Sequence, residues 1–243
     1  MESVLNSQFI LLATAIFAAV TVQTTAGFGG ALVAMSVLPH FFPIAFVSPL
    51  VALVLLLSSV LLFFKFRYSF TVRRVLPLFI GAAAGVPFGV LVLGAVPEAL
   101  LRVVLAVVVF GFSAYSLAGR VPAVNIHGRW GYLFGFVSGC LGGAINVNGP
   151  PVVVYTSLKS WTKDEIVITL QSLFVMSWLF ISVTHCLHGT VTDRVIMSFA
   201  LSVPAIILGI AAGTLLYRRV NLENFKKLLY LLLIILSAML LVR

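Results

Sequence analysis

Between Ser3 and Phe64 the chain carries no Asp, Glu, Lys or Arg. Further uncharged runs follow at Val75–Pro97, Val103–Gly119, Trp130–Leu158, Ile166–Val191, Val195–Tyr217 and Leu228–Val242. Most are long enough to cross a hydrocarbon layer of roughly 30 Å as helices. Hydrophobic residues make up 62% of the chain and charged residues 9%, far from the balance that a water-exposed surface needs. In hydrocarbon every backbone polar group must be satisfied internally, and a chain with this patterning does so as helices. The sequence therefore specifies an all-α polytopic membrane protein, and the segments between runs are too short to hold a soluble domain.

The formal net charge of +9 does not indicate nucleic acid, because the basic residues lie in short loops where orientation bias alone would put them. The first apolar stretch is too long for a cleavable signal peptide and lacks a basic leading segment. Cys140 and Cys186 stand in separate apolar runs, with neither a disulfide framework nor metal-ligand spacing. No Walker loop is present, and neither a cofactor nor a metal is expected.

Two apolar runs are interrupted. Residues 23–30 read Gln-Thr-Thr-Ala-Gly-Phe-Gly-Gly, and residues 142–151 read Gly-Gly-Ala-Ile-Asn-Val-Asn-Gly-Pro-Pro. Irregular backbone at membrane depth survives only where protein buries it or where it lines a watery cavity. Two such interruptions, one per half, point to a transporter binding site.

Charge separates two topologies. Eight plain crossings, at about 8–38, 44–64, 72–94, 98–118, 130–158, 164–186, 192–216 and 221–242, would put eight basic residues on one side and seven on the other. Segments 8–38 and 130–158 are the exceptions in length and contain the interruptions. If they are re-entrant hairpins, one side holds twelve basic residues and the other only Arg102, Arg194 and Arg243, which is the expected bias. Six full spans plus two hairpins, with both termini outside, is the preferred reading. The second arms, near 30–38 and 151–158, are only about 12–14 Å long as helices. A return therefore needs a break near the midplane or an arm extended through Phe41–Phe46.

The halves also resemble each other. Pro77 precedes Gly81-Ala-Ala-Ala-Gly85, and Pro204 precedes Gly209-Ile-Ala-Ala-Gly213. Glu98 with Arg102, and Glu223 with Lys227, open the last helix of each half at i,i+4 spacing. Three crossings per half would invert one half against the other. The expected fold is two inverted pseudo-symmetric repeats, 1–120 and 121–243, each a broken, re-entrant hairpin plus three transmembrane helices. The spaced glycines of each repeat read as helix-packing positions.

No charged side chain lies in mid-run, which argues against transport built on intramembrane carboxylates. Backbone N–H groups, hydroxyls and amides remain, and these suit an anion. A helix N-terminus carries about half a positive charge and unpaired donors. Asn148-Gly149-Pro150-Pro151 reads as a capped helix start, and Gly29-Gly30-Ala31 starts its counterpart. Inverted symmetry would bring the two N-termini together as a cradle, with Gln23, Thr24, Thr25, Asn146 and Asn148 as further donors. Gln171-Ser172 and Ser48-Pro49, in the spans after the breaks, face the same cavity or bond between helices. His185-Cys186-Leu187-His188 reads as an interfacial or capping cluster. A membrane hydrolase pairing Ser138 with His185 or His188 lacks a nucleophile signature, so the chain is not expected to be an enzyme.

These motifs resemble the TauE/SafE family, the sulfite/organosulfonate exporter family of membrane permeases. Gly27-Phe-Gly-Gly30 is similar to its first-half glycine signature, although the family often carries a longer glycine run there. Gly142-Gly143, Asn148-Gly-Pro-Pro-Val-Val-Val-Tyr155 and Thr169-Leu-Gln-Ser172 are similar to its second-half pattern. The likeness covers essentially the whole chain. It implies a multi-pass protein of the cell's inner (cytoplasmic) membrane that exports a small sulfur-containing anion, sulfite-like or sulfonate-like. The substrate-binding positions would be Gln23, Thr24, Thr25, Gly29, Gly30, Asn146, Asn148, Gly149, Gln171 and Ser172. A passive anion channel, or an uptake permease for another small carboxylate or oxyanion, is the alternative. The expected partners are the anion and the lipid bilayer, with a homodimer compatible and nucleic acid excluded.

The charge count places residues 65–74, 119–129, 159–163 and 217–227 in the cytoplasm. Phe70→Cys and Leu222→Cys, each in a background lacking Cys140 and Cys186, should both resist an impermeant thiol reagent in intact cells. Labelling of one but not the other would establish eight plain crossings.

Overall fold

The computed structural model describes residues 2–91, 98–118, 126–145 and 148–242. The described residues are almost wholly helical, with no strand among them. In chain order the helices are α1 (Glu2–Ala26), α2 (Gly30–Val37), α3 (Ile44–Phe66), α4 (Val72–Leu91), α5 (Glu98–Leu117), α6 (Trp130–Ile145), α7 (Gly149–Ser157), α8 (Lys163–Leu187), α9 (Asp193–Arg219) and α10 (Leu222–Val242). Five stretches among the described residues are long and apolar enough to cross a membrane: Phe9–Ala26, Ile44–Ser69, Val72–Gly89, Lys163–Leu187 and Asp193–Arg219. The molecule is a multi-pass helical membrane protein.

Local chemistry sets the helix ends. Thr162 and Glu165 form a capping box at the start of α8, the Thr162 N–H donating to Glu165 Oε2 (2.9 Å) and the Glu165 N–H to Thr162 Oγ1 (3.3 Å); two donors that the helix leaves unpaired are satisfied at once. Thr192 caps α9 by accepting from the Val195 N–H. Asp193 in the first turn of α9 and Arg218 and Arg219 in its last complement its dipole.

Both interrupted runs break where expected. Gly27 (φ 82°) and Gly29 (φ 94°) take left-handed conformations between α1 and α2, which a Cβ would oppose. The chain then turns back: Val33 and Val37 of α2 share the walls of one cleft with Ile10, Leu11 and Thr14 of α1. The second pair folds likewise. Tyr155 of α7 stacks on Phe134 of α6, with ring centroids 5.5 Å apart, and its hydroxyl donates to the Gly128 carbonyl (3.4 Å).

The arms are unequal. Twenty-five residues of α1 face eight of α2, or about 37 Å against 12 Å of helix. The second arm does not extend helically through Phe41–Phe46. Leu38–His40 is a 3-10 turn and Pro43, extended at φ −56° and ψ 139°, opens α3.

Packing divides the chain into two units, residues 1–68 with 174–221 and residues 69–173 with 222–243. In the first unit, Ile16, Val20, Leu50, Val54, Leu55 and Ile206 form a fully buried core between α1, α3 and α9. Gly209 and Gly213 admit α1 closely: a Cβ at Gly213 would lie 2.6 Å from Thr24 Cβ and 2.7 Å from the Thr21 carbonyl. Thr21 and Thr25 donate to their own helix at Phe17 and Thr21 and also reach the Gly209 (3.4 Å) and Gly213 (3.3 Å) carbonyls. These are interhelical bonds of the kind that join helices in lipid.

The second unit is built on α4 against α6. Cβ atoms at Gly81, Gly85 and Gly89 would strike the backbone of Tyr132, Phe136 and Cys140 respectively, and Cβ atoms at Gly135 and Gly139 would strike Leu78 and Ala82. Glycines on both helices bring two backbones into contact, and α10 packs on α5 in the same unit. The packing role expected of Gly81, Gly85, Gly209 and Gly213 is what the structure shows. Glu98 is helical, but the Glu98 and Arg102 side chains lie outside the described residues.

Gly85→Ala meets backbone and should lower stability by about 1–3 kcal/mol, the usual cost of overpacking. Gly111 in α5 has nothing within 4 Å of its Cβ position. Gly111→Ala should therefore be neutral or stabilising by about 0.5–1 kcal/mol, since alanine is the better helix former. Melting temperatures of the detergent-purified variants check the contrast; equal shifts would show that α4 and α6 do not touch through these glycines.

Candidate functional site

The expected site residues divide between the two units. Gln23, Thr24, Thr25, Gly29 and Gly30 lie in the first; Asn148, Gly149, Gln171 and Ser172 lie in the second. Asn146 lies outside the described residues.

At the first break Gln23 is the organising side chain. It is 2% exposed, and its Nε2 donates to Ser58 Oγ (3.3 Å) and Ser59 Oγ (3.0 Å) of α3. Its Oε1 rests where a Cβ of Gly30 would be, with Leu55 Cδ2 2.9 Å from the same point. One carboxamide thus ties α1 to α3 and covers the first residue of α2. Gly30 is small because Gln23 fills the space beside it; its φ is not positive, unlike that of Gly29. Thr24 is fully buried and its Oγ1 has no hydrogen-bond partner among the described residues. Thr25 is engaged between α1 and α9 as described above.

Among the described residues no side chain caps the N-terminus of α2. Gly29 offers no side-chain cap, and Gly30, Ala31 and Leu32 carry the N–H groups that a helix start leaves without intrahelical partners. The start of α7 differs. Asn148 occupies the cap position, but its side chain makes no capping hydrogen bond, and its backbone is helical (φ −99°, ψ −16°) rather than extended. The expected cap is corrected on simple grounds. A cap side chain accepts from the second or third helical N–H; here those residues are Pro150 and Pro151, which have none. The Asn148 carbonyl instead accepts from Ser138 Oγ of α6 at 2.5 Å, locking the break to the preceding arm.

Gln171 of α8 is fully buried, and the Ser172 hydroxyl donates back to the Ile168 carbonyl (2.6 Å). Ser48 pairs with His185 (Oγ to Nε2, 3.2 Å), whose Nδ1 meets Thr190 Oγ1 at 2.8 Å. Ser138 and His185 therefore each have other partners, and the Ser–His pairing has no support. No cluster of metal-ligating residues occurs among the described residues.

Ser58 and Ser59 escaped sequence reasoning, and Ser138 entered it only as a hydrolase candidate, not as a partner of the break. Ser58-Ser59 is a polar pair in the middle of α3, so its isolation was the available signal. The Ser138 bond had no signal, because its partner is a backbone carbonyl.

The far end of the second hairpin is held by cations. Lys226 Nζ donates to the Ser157 (2.9 Å) and Lys159 (3.3 Å) carbonyls, satisfying the C-terminus of α7 where its dipole is negative. Lys159, 5% exposed, sits over the Tyr155 ring at 5.0 Å and donates to the Ile126 carbonyl. Burial pushes its amine below the ordinary lysine value. Each short helix thus has an N-terminus at a break, and in α7 the opposite end is neutralised.

The family model described as Sulfite exporter TauE/SafE matches residues 11–240. The chain belongs to this family. No curated protein and no solved structure matches it. The match spans both breaks and every helix pairing described above. TauE/SafE membership makes the protein a membrane transporter of the sulfur-anion exporter type, in agreement with the expectation that it is not an enzyme.

Gly29→Ala should cost about 1–2 kcal/mol through its left-handed backbone alone, and that cost should add to the effect of Gln23→Ala. Gly30→Ala should not add, because the new methyl displaces Gln23 itself; contacting pairs couple by about 0.5–3 kcal/mol. A double-mutant cycle on unfolding free energies checks this, and full additivity at Gly30 would mean that Gln23 does not cover α2.

Proposed function

We propose that this TauE/SafE member is a secondary transporter that exports a small sulfur-containing oxyanion, sulfite-like or sulfonate-like, across the cytoplasmic membrane. The observation that carries the reading is the pair of breaks. Each interrupts an otherwise uncharged run and begins a short helix whose N-terminus no side chain caps. Such a helix start attracts an anion through its N–H groups and dipole, and it does so without a buried cation that would hold the anion too firmly to release.

The two breaks offer different donors. The first offers the successive N–H groups of Gly30, Ala31 and Leu32. At the second, the prolines leave Gly149 as the one N–H among its first three residues, and the Asn148 carboxamide, unused in capping, supplies the rest. Gln171 of α8 completes the second set in this reading; the Ser172 hydroxyl, which donates its one proton to the Ile168 carbonyl, joins it only by turning from that bond. Thr24, with its unpartnered hydroxyl, extends the first.

The reading includes an inverted repeat in which α1 to α5 correspond to α6 to α10. The packing supports it: glycines of α9 receive α1, and glycines of α4 meet α6, so each half lends its broken arm to the fourth helix of the other. Export of a monovalent anion needs no further energy source where the inside is negative, since the potential contributes about 2.3 kcal/mol per charge per 100 mV.

In proteoliposomes, sulfite or sulfoacetate should move down a potential gradient. Asn148→Leu and Gln171→Leu should lower transport at least tenfold, the factor that about 1.4 kcal/mol of lost binding corresponds to, while Arg73→Gln and Arg218→Gln should retain it. Essential loop arginines with dispensable Asn148 and Gln171 would move the site away from the breaks. Transport of acetate or lactate in preference to every sulfur anion would overturn the substrate class.

A further inference from the structure

The turn that precedes α6 carries a feature the transport reading does not use. His127, Arg129, Trp130 and Leu133 line a cleft of about 440 Å³. Arg129 is exposed and makes no ion pair among the described residues. The chain has only six acidic residues, and of these Glu165 is held by Arg74 (2.6 Å) and Glu223 by Lys227 (2.7 Å). None lies between residues 126 and 145.

The turn is fixed in place. Lys159 donates to the Ile126 carbonyl, Tyr155 to that of Gly128, and the Arg129 N–H to His127 Nδ1 at 3.2 Å. The last bond makes Nδ1 an acceptor, which leaves the ring proton on Nε2 as a second donor in the cleft that Arg129 also lines. Arg129 and His127 together offer an anion a charge and an N–H on a turn held by three hydrogen bonds.

Below the turn the surface is apolar. Trp130 (50%), Leu133 (50%) and Val137 (37%) are exposed at i, i+3 and i+7 of α6, which is one face of a helix. A basic head on an aromatic and aliphatic strip matches a phospholipid, with phosphate at the guanidinium and an acyl chain along the strip. Trp at this position is the usual interfacial anchor. A free phosphate would use the head and leave the strip uncovered.

We propose that the His127–Trp130 turn is a binding site for an anionic phospholipid, and that occupancy steadies the α6–α7 hairpin. The second part follows from the bonds: the turn is attached to Tyr155 and Lys159, which belong to α7 and its C-terminal end. The lipid would thus brace the hairpin whose other end carries Asn148.

The test uses the full-length protein in detergent. Phosphatidylglycerol, phosphatidylcholine of the same chains and inorganic phosphate are each added, and the melting temperature and the bound lipid in native mass spectrometry are read. Phosphatidylglycerol should raise the melting temperature and remain bound, phosphatidylcholine should do so much less, and phosphate not at all. In Arg129→Gln the phosphatidylglycerol affinity should fall about fivefold, the weight of one surface arginine, and in Trp130→Ala the bound lipid should fall as well. Arg67→Gln, at another exposed arginine, should keep the preference. Equal effects of the two lipids, a full preference in Arg129→Gln, or a loss of preference in Arg67→Gln as large as in Arg129→Gln would overturn the proposal. A shift with phosphate alone would assign the turn to a free oxyanion instead of lipid.

Discussion

A backbone that leaves the helical path inside hydrocarbon has only protein to bond to, because no water is there to take up its N–H and C=O groups. Each break is held accordingly. At the first, the Gln23 carboxamide lies over Gly30 and is itself held by two buried serines of α3. At the second, Ser138 takes the Asn148 carbonyl. What remains open at each site is a set of N–H or amide donors, and this remainder is what an anion can use. The groups that hold each break and the donors assigned to the proposed site are thus neighbours on the same few residues, the first spent within the protein and the second left over.

Close glycine packing follows from this constraint. Lipid tails are as apolar as leucine, so there is no hydrophobic gain in bringing membrane helices together; close van der Waals contact and interhelical hydrogen bonds must do it. The α4–α6 contact has glycines on both partners, and the α1–α9 contact has glycines on one and threonines on the other. The second arrangement exchanges backbone proximity for hydroxyl bonds to the Gly209 and Gly213 carbonyls. In both, the arm that ends in a break is gripped along its length, which fixes where the break points.

The positions of the breaks were legible because glycine, asparagine and proline stand out in an apolar run. Helix bounds were legible because charge and capping residues such as Thr162 with Glu165 mark them. The spaced glycines announced close packing but not their partners, since partner choice is tertiary and Gly85 looks the same whichever helix it meets. Local spacing also could not disclose the Gln23 clamp, which depends on α3 returning beside α1. The Asn148 cap is a different case. The sequence already held the refutation, because two consecutive prolines remove the N–H groups that a cap would serve.

That detail bears on how two related breaks come to differ. A helix start with three N–H groups that lack intrahelical partners and one with prolines in their place cannot bind a ligand in the same way, even if an inverted repeat relates them. Backbone donors are fixed in direction, whereas a carboxamide on a rotatable stem can follow a ligand as the site changes shape. In the proposed function the α2 start is the rigid donor set, braced by Gln23 and the left-handed Gly29. The α7 side relies on Asn148, with its helix held at the opposite end by Lys226. In the proposed reading a transporter must bind without trapping, and neutral donors at a break meet that need better than a buried cation would.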